Sequence, residues 1–175
     1  KGTFYLKNPD NTNYLYFPLV GEQGIKSAIT PNLGGDIKIG QNQFILEPVS
    51  IENLHNNKSS RNFWCCVDKK GIWSATGVSA KEQSNKFSDK KEETYLEAGV
   101  LWQKVTRKSS EYGLQSEITS FVPAKDSESP NVEIMQVTIK NIGSSKVKIT
   151  PTAAVPIYGR SADNIRDHRH VTSLL

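Results

Sequence analysis

Apolar residues in this chain recur mainly at every second position, and the 3.6-residue spacing of an amphipathic helix is hard to find. The clearest case is the run 114–122, which places Leu114, Ile118 and Val122 on one face and Gln115 and Glu117 on the other. Side chains alternate between the two faces of a strand, so this run predicts a half-buried β-strand. The same pattern recurs along most of the chain and limits it to a fold built from strands.

About a dozen segments of this kind, separated by turn-forming residues, predict a large antiparallel β-sandwich. The best defined are Phe4–Leu6, Asn13–Phe17, Ile25–Thr30, Gln43–Leu46, Asn62–Val67, Ile72–Ala75, Thr94–Val105, Leu114–Val122, Val132–Lys140 and Lys146–Thr150. Pro151 and Pro156 predict an edge, bulge or bend in the last of these strands. The polar segment 78–92 predicts a solvated loop with a helical turn, and no fixed period indicates a propeller or solenoid.

Composition excludes several classes of protein. The 22 basic and 18 acidic residues give a net charge of +4, but the lysines are scattered and form no basic stripe, which argues against nucleic-acid binding. No stretch approaches the roughly 20 apolar residues of a membrane span, and no leader is recognisable. A hydrophobic fraction of 36% with this low net charge argues against disorder. We therefore expect a folded protein that binds neither nucleic acid nor membrane.

The two cysteines, Cys65 and Cys66, are neighbours within a predicted strand. Adjacent strand residues point to opposite faces, so a disulfide between them would need a strained turn. Two adjacent thiols without a second pair are also a poor zinc site. The pattern predicts buried, reduced thiols and a cytoplasmic location.

Segment 160–170 is the most polar stretch that lies between β-rich segments. Such a stretch is costly in a sheet interior unless its groups pair with one another or with a ligand. Two interpretations stay open: an Asp–Arg network that fixes a loop, and guanidinium groups that grip sugar hydroxyls, a carboxylate or a phosphate. A metal site is disfavoured, because the same-face pair His168 and His170 lacks a third ligand and lies among arginines. The candidate site residues here are Arg160, Asp163, Asn164, Arg166, Asp167, His168, Arg169 and His170.

Segment 53–62, directly before Phe63 and Trp64, is the second candidate. Its amides and its guanidinium are groups that bind sugars, and the candidate residues are Asn57, Lys58 and Arg61. A turn-forming loop is the competing interpretation and is favoured for most of its Asn and Ser residues. The three tryptophans, Trp64, Trp73 and Trp102, are expected in the core rather than as sugar platforms.

Other motifs offer no catalytic assignment. Leu33-Gly34-Gly35-Asp36 lacks the Gly-Lys-Ser/Thr of a nucleotide-binding loop and predicts a turn. No nucleophile elbow and no zinc-protease helix motif occur in the sequence. The chain has no initiator Met, and residues 170–175 resemble the start of a strand, so we expect a piece of a longer protein.

Several motifs together resemble the amino-terminal region of glycoside hydrolase family 94 phosphorylases. They are the segments 13–19, 27–31, 56–64, 73–77, 119–123, 137–141 and 160–168, which include Asn-Asn-Lys-Ser-Ser-Arg-Asn-Phe-Trp and Arg-Ser-Ala-Asp-Asn-Ile-Arg-Asp-His. The resemblance covers nearly the whole chain. The residues of these motifs are more similar to those of the 1,2-β-oligoglucan phosphorylase branch than to those of the cellobiose or chitobiose branches.

The resemblance implies that residues 1–175 form an amino-terminal β-sandwich of the super-sandwich type, incomplete at its carboxyl end. Helical linkers and an (α/α)6 catalytic barrel are expected downstream. The parent enzyme would cleave β-glucan oligosaccharides with inorganic phosphate as co-substrate, inverting the anomeric centre and releasing α-glucose 1-phosphate. Its general acid and main phosphate ligands would belong to the barrel, so this chain is assigned no catalytic residue, cofactor or metal and is expected to be inert alone.

The resemblance also implies partners. Such enzymes are usually homodimers in which the amino-terminal domain of one subunit approaches the active site of the other. We therefore hypothesise that segments 53–62 and 160–170 help to close that site or to form the dimer contact. A free-standing carbohydrate-binding sandwich that uses exposed Trp and Asn is the alternative, and a purely structural β-domain is a third.

Overall fold

The strands predicted from the sequence assemble into an all-β sandwich in a computed structural model, which describes residues 2–12, 15–48, 60–123 and 131–161. All strand pairs in these ranges are antiparallel. The strands are β1 Phe4–Lys7, β2 Phe17–Val20, β3 Lys26–Ile29, β4 Ile37–Lys38, β5 Gln43–Leu46, β6 Asn62–Val67, β7 Gly71–Ser74, β8 Glu93–Gly99, β9 Trp102–Ser109, β10 Leu114–Phe121, β11 Ile134–Asn141, β12 Ile149–Ala154 and β13 Arg160–Ser161. A 3-10 turn at Pro9–Asn11 and the helix α1 at Ala80–Ser84 complete the described elements.

Strands β8, β9, β10 and β11 follow one another in the sequence and are neighbours in one five-stranded sheet. β1 pairs with β8 and forms one edge of this sheet, and β11 forms the opposite edge. Alternate residues of β10 are buried, as the period-two pattern predicts. The neighbouring strand β9 has the same alternation, and its inward face carries Gln103, Val105 and Arg107. The inward face of this sheet packs against residues of the other two sheets in the core.

Two further sheets complete the sandwich, one with the order β12-β6-β7 and one with the order β13-β5-β4-β3-β2. Their inward side chains meet the β8–β11 sheet in a single apolar core. Its buried members are Leu19, Ile25, Ile29, Leu33, Ile37, Leu46, Cys65, Val67, Trp73, Ala75, Tyr112, Leu114, Ile118 and Val122. Because all three sheets contribute, none of them buries its apolar face alone.

Three predicted strands differ from the observed ones. The segment predicted as one strand, Thr94–Val105, is a hairpin that turns at Val100 and Leu101, where Leu101 has a φ of 62°. The strand predicted at Asn13–Phe17 begins only at Phe17, and residues 13 and 14 lie outside the described ranges. The predicted strand Lys146–Thr150 is shifted to Ile149–Ala154. The strand start predicted at 170–175 also lies outside these ranges.

The predictions for Pro151 and for segment 78–92 are confirmed, while Pro156 lies beyond the end of β12. Pro151 lies in β12, which is an edge strand, where a missing N–H costs no ladder bond on the open side. Val147 and Ile149 pack against the core while Lys146 and Lys148 are exposed. Segment 78–92 is mainly turns around the short helix α1.

The cysteines lie on opposite faces of β6, as predicted, and both are free thiols. Cys65 belongs to the core, and its burial raises the pKa of the thiol. Cys66 is exposed, so the prediction of two buried thiols is wrong for that residue. β6 has only one face toward the core, and the residue after Cys65 must point away from it.

Candidate functional site

Arg61 is one of the two predicted site residues that fall in the described ranges, and its side chain is buried. The guanidinium grips Glu133 with two bonds, Nε to Oε1 at 2.5 Å and Nη2 to Oε2 at 2.9 Å. The two side chains are 3% and 5% exposed. Nη1 donates to the Gly35 carbonyl at 3.0 Å, and Nη2 also donates to Ser27 Oγ at 2.7 Å. All three guanidinium nitrogens are therefore held by the protein itself.

The turn between β3 and β4 forms one side of this Arg61 site. Leu33 adopts a φ of 61° and Gly35 a φ of 116°, and the carbonyls of both residues accept hydrogen bonds from Arg61. A Cβ at Gly35 would overlap the Ala28 carbonyl oxygen, so only glycine fits this position. The prediction of a turn at Leu33-Gly34-Gly35-Asp36 is confirmed. The carbonyls of this turn are hydrogen-bond acceptors for the Arg61 guanidinium.

Arg160 is the other described candidate, and it is exposed. It lies in β13, opposite Phe44 of β5, and Tyr158 of the preceding segment donates its backbone N–H to the Ile45 carbonyl at 2.7 Å. The chain thus reaches segment 160–170 along the edge of the β13-β5-β4-β3-β2 sheet. The predictions for Asn57, Lys58, Asp163, Asn164, Arg166, Asp167, His168, Arg169 and His170 concern residues outside the described ranges.

The described ends of both candidate segments attach to that same small sheet. Ser60 bridges to Gly34 and Arg61 binds the β3–β4 turn, while Arg160 pairs with β5. Strand β4 is hydrogen-bonded to both β3 and β5 and so lies between the two attachments. The described ends of two polar segments, which lie about 100 residues apart in the sequence, therefore contact one sheet.

A second polar site, which the sequence did not reveal, surrounds the side chain of Arg107 on the inward face of β9. Its side chain is 4% exposed and binds Asp10 through Nη2 at 3.0 and 3.3 Å and Glu92 through Nη1 at 3.3 Å. Glu92 also accepts a bond from Trp73 Nε1 at 2.9 Å, and Asp10 accepts one from Thr94 Oγ1 at 3.2 Å. The carboxylates of Asp10 and Glu92 thus hold the buried Arg107 guanidinium in place near the end of β9.

Gly77 closes over this cluster. A Cβ at Gly77 would overlap the Arg107 guanidinium, so the absence of a side chain allows the backbone to lie against that group. The carbonyl of Gly77 accepts a hydrogen bond of 2.7 Å from Gln83 Nε2 of α1. Ser79 caps α1 by accepting a bond from the Glu82 N–H at 3.2 Å. These contacts fix α1 above the Arg107 cluster.

A cavity of about 390 Å³ lies between α1, the Arg107 cluster and the turn that joins β9 to β10. Glu82 lines it, and its Oε2 is buried without a hydrogen-bond partner in the described parts of the chain. Burial, followed by repulsion from Glu92, raises the pKa of this carboxyl. At the edge of the cavity Lys81 binds Glu111 at 2.5 Å, and this hydrogen bond raises the pKa of Lys81.

Sequence reasoning missed this cavity because its residues come from four separate segments. Asp10 and Arg107 lie 97 positions apart, and neither belongs to a recognisable motif. A first signal was Ser79 with Glu82 three residues later, the pattern of a helix start, which would have placed Glu82 in the first turn of a helix. An arginine at a position where β9 should point inward was a second signal that a buried carboxylate lies nearby.

The described residues contain no group of three or more metal-ligating side chains placed to hold a metal. In the same ranges, no helix has the length and apolar character needed to cross a membrane. Compared with known proteins, the chain matches no protein-family model and no curated protein.

Proposed function

We propose that this chain is the non-catalytic amino-terminal β-sandwich of an inverting phosphorylase that acts on 1,2-β-oligoglucans or related β-glucans. Its role is to help assemble the dimer and to close the substrate site, while a downstream barrel carries the chemistry. The all-β sandwich architecture agrees with this proposal, and the motif resemblance across the chain supports it. Inorganic phosphate is the co-substrate, and no cofactor is needed.

The observation that carries the proposal is the attachment of both polar segments to one sheet. Arg61, near the end of segment 53–62, binds the β3–β4 turn, and Arg160 and Ser161, at the start of segment 160–170, pair with β5. The described ends of the two segments, Ser60–Arg61 and Arg160–Ser161, therefore contact one sheet. Loops held by such a scaffold commonly carry binding groups.

The residue types of the two segments suit a sugar or phosphate partner. A guanidinium offers planar, paired N–H donors that match phosphate and carboxylate oxygens, and its donors also serve sugar hydroxyls. Arg160 is exposed and begins segment 160–170, which has more arginines than segment 53–62. The sequence of segment 160–170 also contains Arg166 and Arg169. Arg61 has a different part in this proposal, because its guanidinium is held by Glu133 and it acts as the anchor of segment 53–62.

A cytoplasmic location belongs to the same proposal. Both cysteines are free thiols, and free thiols are common in a reducing compartment. The proposal therefore places the parent enzyme with soluble oligosaccharides and phosphate inside the cell.

The experiment is an assay of the full protein that contains this chain for phosphate release from α-glucose 1-phosphate with a panel of glucosyl acceptors. The proposal expects release with acceptors that yield 1,2-β linkages, and no release by residues 1–175 alone. Absence of release with every acceptor would refute the phosphorylase assignment. Release by the 175-residue chain alone would refute its non-catalytic role.

The second candidate, a carbohydrate-binding sandwich that acts on its own, is favoured by the cavity beside Arg107 rather than by tryptophan platforms. Trp73 is buried in the core, and Trp64 and Trp102 are half-buried. The exposed tryptophans that this function was expected to use are therefore not present among these three side chains. Titration of the chain with β-glucans distinguishes the two candidates, because tight binding by the isolated chain favours the second.

A further inference from the structure

We propose that the surface around Phe87 is a docking site for an extended acidic peptide segment of another protein, one that carries an apolar side chain among its carboxylates. The surface combines one exposed aromatic ring with four lysines, and we call it the Phe87 patch: Lys7, Lys86, Phe87, Lys90 and Lys91. The proposal does not depend on the phosphorylase assignment, because the patch shares no residue with segments 53–62 and 160–170.

The ring of Phe87 is the apolar centre of this patch. It is 84% exposed, the highest value among the large apolar side chains of the described ranges. The ring lines a shallow groove of about 430 Å³ between residues 7–11 and residues 86–93. A partner side chain seated in the groove would remove apolar ring surface from water, which favours binding.

Hydrogen-bonded turns fix the loop that presents Phe87. The Asn85 carbonyl accepts bonds from the Ser88 N–H at 3.0 Å and from the Ser88 hydroxyl at 3.1 Å. The Lys91 N–H donates to the Ser88 carbonyl at 3.2 Å, and the Lys90 N–H donates to Ser88 Oγ at 3.2 Å. Because the loop already has a defined shape, a partner pays less conformational entropy to order it.

The lysines of the Phe87 patch have no opposite charges of their own. None of the four forms an ion pair within the described ranges. Two of the carboxylates that line the groove are already engaged. Glu92 is bound by Arg107, and Glu93 pairs with Lys108. Asp89 is the groove's one carboxylate without an ion pair in those ranges. The surplus of ammonium groups attracts an acidic partner and repels a basic one.

The basic surface continues from the groove onto the outer face of the sheet that contains β1 and β8. Lys7 lies opposite Tyr95 in this strand pair, and its Nζ is 6.0 Å from the centre of the Tyr95 ring. Lys108 Nζ lies 5.4 Å from the same ring centre, and the centre of the Tyr5 ring is 6.2 Å away. An elongated surface of this kind suits an extended chain better than a single small anion.

The aromatic rings favour a peptide over a single-stranded nucleic acid. Bases bind such surfaces by stacking on open ring faces. Here ammonium groups lie close to the rings, with Lys7 and Lys108 beside Tyr95 and Lys86 Nζ 5.5 Å from the centre of the Phe87 ring. They occupy ring surface that a base would need, whereas an aliphatic side chain can pack against the part that is left.

The test titrates three short synthetic peptides into the full chain and follows the backbone amides by NMR. The first peptide consists of glutamates with a central leucine, the second has serine in place of leucine, and the third has glutamines in place of the glutamates. The proposal expects saturable shifts at the amides of residues 86–91 with the first peptide, and these should weaken as salt is added. The other two should bind at least about tenfold more weakly.

Two further probes address the other polyanions that a basic aromatic surface can bind. Oligouridylate RNA and phosphatidylserine vesicles are titrated under the same conditions. Tighter binding of either one than of the first peptide would assign the surface to a nucleic acid or to a membrane and would overturn the proposal.

Matched variants locate the site. Phe87→Ala and Lys90→Glu should each weaken binding of the first peptide by roughly tenfold. Val100→Ala removes a side chain that is 81% exposed just beyond the far end of β8, and Lys26→Glu changes an exposed lysine of β3, so both should leave the affinity unchanged. All four positions are exposed, so each variant is expected to fold. No saturable shift with the first peptide, equal binding of the serine peptide, or equal losses for patch and control variants would each overturn the proposal.

Discussion

Arg61 and Glu133 form a buried, two-bond ion pair that joins the residue before β6 to the residue before β11. The pair spans 72 positions in the sequence and connects two different sheets of the sandwich. Because the Arg61 guanidinium also binds Ser27 of β3 and the β3–β4 turn, and Arg61 itself precedes β6, this residue links segments next to strands of all three sheets. This contact fixes the base of segment 53–62 relative to the core.

We expect Arg61→Ala to lower the free energy of unfolding by about 3–5 kcal/mol, because it leaves Glu133 as an unpaired charge in a buried place. Urea denaturation followed by tryptophan fluorescence measures the change. Arg61→Met with Glu133→Leu removes both charges together and should recover much of the loss.

The control for this ion pair is exposed. Lys140→Ala breaks the pair between Lys140 and Glu117 on the surface of β10 and β11 and should cost about 0.2–1 kcal/mol. If Arg61→Ala were no more harmful than Lys140→Ala, the buried pair would not have the anchoring role described above.

Gly77 and Gly71 offer a matched test of the contact above Arg107. Both have positive φ, 76° and 103°, but a Cβ at Gly71 meets nothing within 4 Å while one at Gly77 overlaps the Arg107 guanidinium. Asp10 and Glu92 hold that guanidinium, so it cannot move aside freely. Gly77→Ala should therefore lower the free energy of unfolding by about 1–3 kcal/mol more than Gly71→Ala, measured by denaturation. Equal losses would mean that Gly77 is needed only for its backbone conformation.

Glu82→Gln should stabilise the protein at neutral pH. Burial and the neighbouring Glu92 raise the pKa of Glu82 in the folded state. A carboxyl with a raised pKa binds its proton more tightly when folded, so stability falls as pH rises from the unfolded-state pKa, about 4.3, through the folded-state pKa. The variant removes this loss, and its advantage should disappear below about pH 4.

Glu117→Gln provides a control of opposite sign. The hydrogen bond from Lys140 lowers the pKa of Glu117, so the ionised form stabilises the folded protein above the ordinary pKa and this contribution fades as pH falls. Chemical denaturation of both variants across pH 3–8, a range set by these carboxyl pKa values, measures the two trends. A Glu82→Gln variant that is less stable than the original protein at neutral pH would contradict a burial cost at Glu82.

The two cysteines should differ sharply in reactivity. Cys66 is exposed, whereas Cys65 is buried and its thiol pKa is raised by that burial. A thiol reagent should therefore modify one cysteine quickly in the native protein and the second only on unfolding. Cys66→Ser should abolish the fast phase, and a fast phase that survives this substitution would show that Cys65 is accessible.

The β-sandwich could be predicted because strand alternation is local. In β10 the polar or apolar character of each residue indicates which face of the strand it lies on. Leu114 and Ile118 were therefore correctly placed toward the core. The hairpin at Leu101 was missed because a leucine with a φ of 62° gives no turn signal of its own. Strand β4 was missed because two residues are too few to show a period.

The candidate site was less predictable for a different physical reason. Arg61 is polar and lies beside a loop, so its sequence context fits a binding residue, and only the distant Glu133 and the β3–β4 turn give it a buried place. The cavity likewise depends on Asp10 meeting Arg107 across 97 positions. Such pairings follow from strand order, which local patterns do not encode. Substrate contact by segments 53–62 and 160–170 stays a prediction.

The most direct measurement uses Arg160→Ala in the full protein that contains this chain, with Lys146→Ala as the exposed control. The acceptor KM in phosphate release and the dimer dissociation constant are compared for both variants. If segment 160–170 helps to close the substrate site or the dimer contact, Arg160→Ala should raise one of these constants by roughly tenfold, the equivalent of one charge-assisted contact of about 1.4 kcal/mol, while Lys146→Ala changes neither. Unchanged values of both constants for Arg160→Ala would contradict the account.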